Sequence, residues 1–405
     1  MTARVEAIEP WSPLRARLFR NLWLASLVSN VGTVMHTVGA SWASTELTTS
    51  PTLIGLVQTA WAVPGFLVAL PAGALADVVD RRRLMIATQL VAMALAAGLG
   101  VLYVGDALVM WVLLGFTFAL SIVLTLAAPV FMAVTPELVD RSELGKAIGL
   151  NVISTNIAQS LGPAFAGVII AIAGAGAVFV VNAVSFLGIV FVARTYRPHL
   201  AAAHVPEPVG SAVRTGLQYF WRTPRLRPLA GRIALSMLCT SALLALMPVV
   251  ARRQLDVGAA QFGLLSAAIG VGAVGAVWLL PRLSLRFRPD SVVLAASGCW
   301  AAGAVIVGLA HSLPAAMLGL ALGGGGSMAT LNVVFTKYTE LLPSWVRGRA
   351  SSMMMLMVWL GTSIGATAWG SLASATTAGT SLVVAAIVHV TITSAASTWL
   401  RIEPR

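Results

Sequence analysis

Two histidines and one knot of charge hold most of the chemistry this chain can offer. His36 and His389 sit within long apolar runs. An imidazole titrates near neutral pH, so each is suited to carrying a proton or to a buried neutral hydrogen bond. The knot is GALADVVDRRRL, from Gly73, where Asp77, Asp80, Arg81, Arg82 and Arg83 crowd together. Carboxylates and guanidiniums at that spacing form charge-assisted hydrogen bonds that can be made or broken as neighbours change. Glu46, at the end of the first apolar run, is a further acid that either takes up a proton from solvent or stands as a solvated loop residue. The sequence contains no metal-ligand cluster, no Walker motif and no nucleophile with a base at recognisable spacing. An enzyme is therefore not expected, nor a bound metal or cofactor, and the chain does not itself hydrolyse ATP.

The background makes the knot conspicuous. Of 405 residues, 10% are charged and 58% are apolar, and mean hydropathy is +0.89. Soluble domains carry roughly 25% charged residues, so water is not the main solvent here. Apolar runs of the length that crosses a bilayer core as a helix recur at 21–42, 54–76, 84–104, 107–131, 147–172, 176–194, 228–250, 261–281, 291–310, 313–336, 350–371 and 379–400. The expected fold is an all-α membrane protein with twelve transmembrane helices, ten or eleven being the alternatives where connections near 105 and 312 are short. Cys239 and Cys299 fall inside spans seven and nine and read as small apolar side chains. No cleavable signal is expected ahead of span one, which would serve as its own insertion signal.

A net charge of +12 invites a nucleic-acid reading, but the placement of the charge argues against it. By these spans, every Lys and Arg except Arg252 and Arg253 lies in the N-terminus, the even-to-odd loops and nearby helix ends, or the C-terminus. This is the positive-inside bias, and it predicts both termini in the cytoplasm.

Spans one to six and seven to twelve are separated by a polar stretch whose second part places Val213, Leu217, Phe220 and Trp221 on one helical face. The expected organisation is a six-helix bundle over 1–194, a cytoplasmic linker with an amphipathic helix over 195–227, and a second six-helix bundle over 228–405. The halves are related. An offset of 203 pairs Glu137, Gly145, Lys146 and Ala147 with Glu340, Gly348, Arg349 and Ala350, and then Gly162 and Gly167 with Gly365 and Gly370. Duplication explains so long a register.

The loop GALADVVDRRRL resembles the signature between helices two and three of the major facilitator superfamily, and SLGPAFAG, from Ser160, resembles the helix-five motif of its exporters and antiporters. AAPVFMAVTPELVDRSELGKAIGLN, from Ala127, and SWASTELTTSP, from Ser41, are similar to the branch that holds the enterobactin exporter and the macrolide efflux proteins. Val78 and Asp80 depart from the loop signature, Ala166 departs from the helix-five motif, and span four lacks the arginine of many proton antiporters. Proton coupling is accordingly left open.

The resemblance implies two bundles that rock about a central site and a secondary transporter exporting a small amphiphilic molecule, such as a siderophore, a macrolide or another drug, by alternating access. Uptake of a metabolite and a non-transporting receptor are the alternatives. Asp77 is suited to latch onto the start of span eleven, where Arg347 and Arg349 add to the positive helix end, with Gly73 allowing close approach. Arg81 would share that switch or, with Arg82 and Arg83, only anchor the loop. Asn30, Gln58, Asn156, Gln159, Ser236, Thr240 and Asn332 are costly facing lipid, so they and His36 are the candidates for the cavity wall, the interhelical bond being the alternative for each. His36 and Glu46 are the candidates for proton coupling, while Gly162 and Pro163 shape span five. No acid lies in the membrane interior, which favours neutral or anionic cargo. The expected partners are that small molecule and the lipid bilayer, the expected place is the inner membrane, and the expected state is a monomer.

Overall fold

In a computed structural model the described residues are 11–197, 218–343 and 347–399; for 69–71, 73–78, 347–349 and 398–399 the description covers the backbone only. They form α1 (Arg17–Leu47), α2 (Pro51–Val78), α3 (Arg81–Val104) and α4 (Met110–Leu138). Leu144–Thr195 is a run of 52 residues broken at Gly174, whose φ of 77° and ψ of 168° are open only to glycine. The break divides it into α5 (144–173) and α6 (175–195). The remaining helices are α7 (Leu226–Val249), α8 (Ala259–Ser284), α9 (Pro289–Gly308), α10 (Leu313–Glu340), α11 (Arg347–Ala375) and α12 (Ala378–Trp399). No strand occurs among the described residues.

Among the described residues ten helical stretches are long and apolar enough to cross a bilayer. One of them is the broken run, which supplies two crossings. α1, 31 residues long, is absent from the ten because Asn30, Thr33, His36, Thr37 and Ser41 interrupt its apolar surface. With it the described residues hold twelve membrane helices. Leu24, Val101, Trp111, Ile172 and Leu318 are exposed on the outer surface, the arrangement required when the surrounding solvent is hydrocarbon.

α1 packs along α5 and α6, and α2 along α4; in the second half α7 packs along α11, and α10 along both α8 and α9. The halves meet where α2 runs along α11 and α5 along α8. These two contacts are copies of one another, as are α1 along α5 and α7 along α11, and the four together explain the glycine register. Gly162 lies against Val34 of α1, and Gly365 against Leu238 and Ser241 of α7; Gly167 lies on Gly263 of α8, and Gly370 on Thr52 and Gly55 of α2. A Cβ at Gly162 would stand 2.8 Å from Val34 Cγ1. Small residues let backbones approach without losing packing, the usual means of association where lipid supplies no hydrophobic drive.

Ion pairs tie helix ends together where the arginines gather. Arg81 pairs with Glu137 at the end of α4, and the Tyr196 hydroxyl, just past α6, donates to the same carboxylate. Burial first, and then that bond to an acid, push the Tyr196 phenol up. Three elements of the first half thus share one carboxylate. Arg232 of α7 lies 2.5 Å from Asp290 in the first turn of α9. Glu137→Gln is expected to lower unfolding free energy by about 1–2 kcal/mol, the lower part of the range for bonds to charged groups because Arg81 is a third exposed. Thermal melting in detergent measures it, and an unchanged midpoint would refute a fastening role.

Candidate functional site

Between the halves lies a cavity of about 1090 Å³, walled mainly by α1, α5, α7 and α8 with single contributions from α2 and α10. At one end Val38, Ser41, Met247 and Phe262 close it. In its middle Thr37, Gln58, Asn156, Gln159 and Ser266 offer neutral hydrogen-bonding groups. At the other end stand Trp278, Arg282 and Leu285, of which Trp278 is 68% and Leu285 88% exposed. Val34, Leu244, Ile269, Val274 and Met328 make the rest largely apolar. No acid is among the lining residues, and Arg282 is their one charged group. Its guanidinium sits 4.0 Å from the Trp278 ring centroid, and Nη1 donates to the Trp278 carbonyl at 3.0 Å. The cation is therefore held at the rim by an aromatic face.

The closed end is built from both halves. Trp42 of α1 and Phe262 of α8 have ring centroids 5.3 Å apart. The Arg252 guanidinium lies 5.6 Å from the Trp42 ring centroid, and Arg253 donates to the Thr49 carbonyl. Glu46 Oε1 accepts from Trp42 Nε1 at 3.0 Å, and Oε2 from the Tyr103 hydroxyl at 2.7 Å. Nearby, Thr52 and Ser374 hydroxyls meet at 2.7 Å, and Thr59 and Thr367 at 2.9 Å. An aromatic pair, a cation on its face and hydroxyl contacts make a seal whose parts are individually weak.

Gln58, Asn156, Gln159 and Pro163 line this cavity. Gly162 is packed on α1 beside it. Asn30 lies in a separate pocket of about 430 Å³ within the first half, its Nδ2 3.3 Å from Ser154 Oγ. His36 is buried elsewhere, its ring 4.8 Å from that of Phe179 on α6, and neither ring nitrogen has a hydrogen-bond partner among the described residues. Ser236 is buried in α7, its hydroxyl without a partner among the described residues, and Thr240 lines a small pocket with Met328. Asn332 donates to the Met328 carbonyl at 3.0 Å and faces a groove between α8 and α10. Glu46 belongs to the seal, and Arg81 to the Glu137 cluster. The side chains of Gly73, Asp77, Arg347 and Arg349 lie outside the described residues. Sequence reasoning missed Trp278 and Arg282 at the rim and the Trp42–Phe262 pair. Their available signals were a tryptophan near a span end and an arginine four residues further along the same helix.

A family model described as transmembrane secretion effector matches residues 8–404. The chain belongs to the transmembrane secretion effector family of the major facilitator superfamily. Members of it are transporters and not enzymes. Among curated relatives, the chain is 24% identical over 64% of its length to a staphyloferrin A transporter of Staphylococcus aureus, and 26% identical over 52% to an uncharacterised transporter of the superfamily from Bacillus subtilis. The matches span 66% and 52% of those proteins, a little under two thirds at most. The chain's fold is shared with an inward-facing bacterial homologue of the lysosomal transporter Spinster, at TM-score 0.77 and 16% identity, covering 96% of each chain. A bacterial homologue of the iron transporter ferroportin follows at 0.68 and 17%, covering 93% and 99%.

Proposed function

We propose that the chain is a secondary exporter of a small neutral or anionic amphiphile, working by alternating access from the cytoplasmic membrane with both termini inside. The observation that carries this reading is the cavity between the halves, sealed at one end and open at the end where the arginines gather. By the positive-inside bias the open end faces the cytoplasm, so cargo enters there. The largely apolar wall takes the body of an amphiphile, while Gln58, Asn156 and Gln159 hydrogen-bond its polar part. Opening of the Trp42–Phe262 seal then releases it outside.

Closure behind the cargo falls to Asp77. α2 and α11 run antiparallel along one another, which puts the end of α2 and the start of α11 at the same side. Asp77 is thereby suited to dock on Arg347, Arg349 and the positive end of α11 as the mouth closes, with Gly73 allowing the approach. Arg81 supports that loop through Glu137. We place the halves at 1–194 and 228–405, joined by 195–227, acting as a monomer. Protons, if coupled, exchange at Glu46 as the seal parts, since His36 lies away from the cavity. The staphyloferrin A transporter among its relatives recommends siderophores, beside macrolides, as first compounds.

The test is efflux of a siderophore and macrolide panel into inverted vesicles, with a proton gradient imposed and then collapsed. Wild type should accumulate at least one compound, Asp77→Asn should lose about tenfold or more in rate, and Gln159→Leu should raise KM. Gradient dependence lost in Glu46→Gln but kept in His36→Ala would assign the coupling site. Accumulation in right-side-out vesicles only would overturn export in favour of uptake.

A further inference from the structure

Around the arginine-rich end of α8 lie two hollows that the transport reading does not use. The first is a lateral cleft of about 590 Å³. α10 packs closely against both α8 and α9, but α8 and α9 hardly touch one another. The gap between them is floored by α10, where Ala321, Gly325, Gly326 and Ala329 leave depth, and walled by Leu279 and Leu283 on one side and Ala295 on the other. Leu279 is 44% exposed, so the cleft faces outward, where lipid is the solvent. Its lining is almost wholly apolar carbon.

The second hollow, of about 710 Å³, adjoins the first, for both are bounded by Leu280 and Phe287. It is polar and basic: Arg286, Arg288 and Lys337 line it, with Glu340 as the one acid. Glu340 lies 3.1 Å from Lys337 and so offsets that ammonium. No acid lies within ion-pair distance of Arg286 or Arg288 among the described residues. Exposed Leu285 and Phe287 alternate with these arginines, the pattern of a segment seated at a membrane surface.

An apolar slot that opens to hydrocarbon and ends at two free guanidiniums at headgroup level matches one class of molecule. We propose that the α8–α9–α10 cleft is a site for one anionic glycerophospholipid, with an acyl chain in the slot and its phosphodiester on Arg286 and Arg288. Guanidinium forks suit phosphate oxygens, and basic pockets between membrane helices on this side select anionic headgroups. A zwitterionic lipid fills the slot equally but brings its own cation to the arginines. The site needs only that α8 to α10 cross a bilayer, and stands whether or not the transport reading does.

Native mass spectrometry of the full chain, released from detergent with added dioleoylphosphatidylglycerol or dioleoylphosphatidylcholine, tests it. Wild type should retain one phosphatidylglycerol in preference to phosphatidylcholine. The R286Q/R288Q double variant, which leaves the cavity and the ion pairs above intact, should lose that preference and bind phosphatidylglycerol about 10- to 30-fold more weakly. Ala295→Phe, which fills the slot, should weaken both lipids, and glycerol phosphate without acyl chains should not be retained. Equal affinity for the two lipids in wild type, an unchanged preference in the double variant, or retention of glycerol phosphate alone would overturn the proposal.

Discussion

Gly167→Leu is expected to reduce transport at least tenfold while leaving the protein folded. A Cβ at Gly167 would lie 2.6 Å from Gly263 Cα and 3.1 Å from the Ala259 and Ala260 carbonyl oxygens. All three are backbone atoms, which cannot swing aside as a side-chain tip does, so α5 and α8 must part at the seal. Overpacking of this kind costs about 1–3 kcal/mol, which shifts the ratio of sealed to open conformers by roughly 5- to 150-fold. A cysteine placed at Ser41, buried at the closed end, should then react faster with an impermeant maleimide added from outside. Gly370→Leu should act in the same direction through α2, where the added Cβ meets the Pro51 carbonyl at 3.0 Å. Gly149→Leu, on the same helix as Gly167 with nothing within 4 Å of its Cβ, is the control and should behave as wild type. Unchanged Ser41→Cys labelling in Gly167→Leu would show that this glycine contact does not hold the seal.

That prediction was half visible in the sequence. The offset of 203 aligned Gly162 and Gly167 with Gly365 and Gly370, and the reason proves physical: each pair sits at the same two crossings of a repeated bundle, where only glycine fits. The twelve spans were readable too, even the reversal at Gly174, because run length against bilayer thickness is a nearly local signal. Which face of a helix turns towards a cavity is not local. α1 is surrounded by protein on most sides, so its polar residues are spread about the axis, and nothing in its pattern tells His36, which ends against Phe179, from Thr37, which reaches the cavity. The seal was harder still, since Trp42 and Arg252 come from different halves and meet only because the repeat folds back on itself. Glu46 read equally well as a loop acid or a proton acceptor; two donors on its carboxylate were needed to place it in the seal.

The ion pair between α7 and α9 carries the largest expected effect on stability. Arg232 is 3% exposed and Asp290 22%, so the guanidinium is the partner that water cannot reach. Asp290 also sits in the first turn of α9, where the helix end favours a negative charge. Asp290→Leu removes both gains and takes a carboxylate away from a buried guanidinium, at a cost on the order of 3 kcal/mol. Arg232→Met alone exposes the converse problem, but a carboxylate already in partial contact with water suffers less, so its cost should be about half as large. The double variant Arg232→Met with Asp290→Leu separates attraction from desolvation. Replacing a buried pair by well-packed apolar groups is often neutral, so the double should recover most of the loss, a strongly non-additive cycle for residues in contact. Unfolding in mixed micelles, followed by tryptophan fluorescence, gives the three free energies. If the two single losses simply add, the pair is not what fastens the end of α7 to that of α9, and the two must be held through α10, whose Val334 and Tyr338 share one apolar cluster with Leu226, Ile233 and Val293.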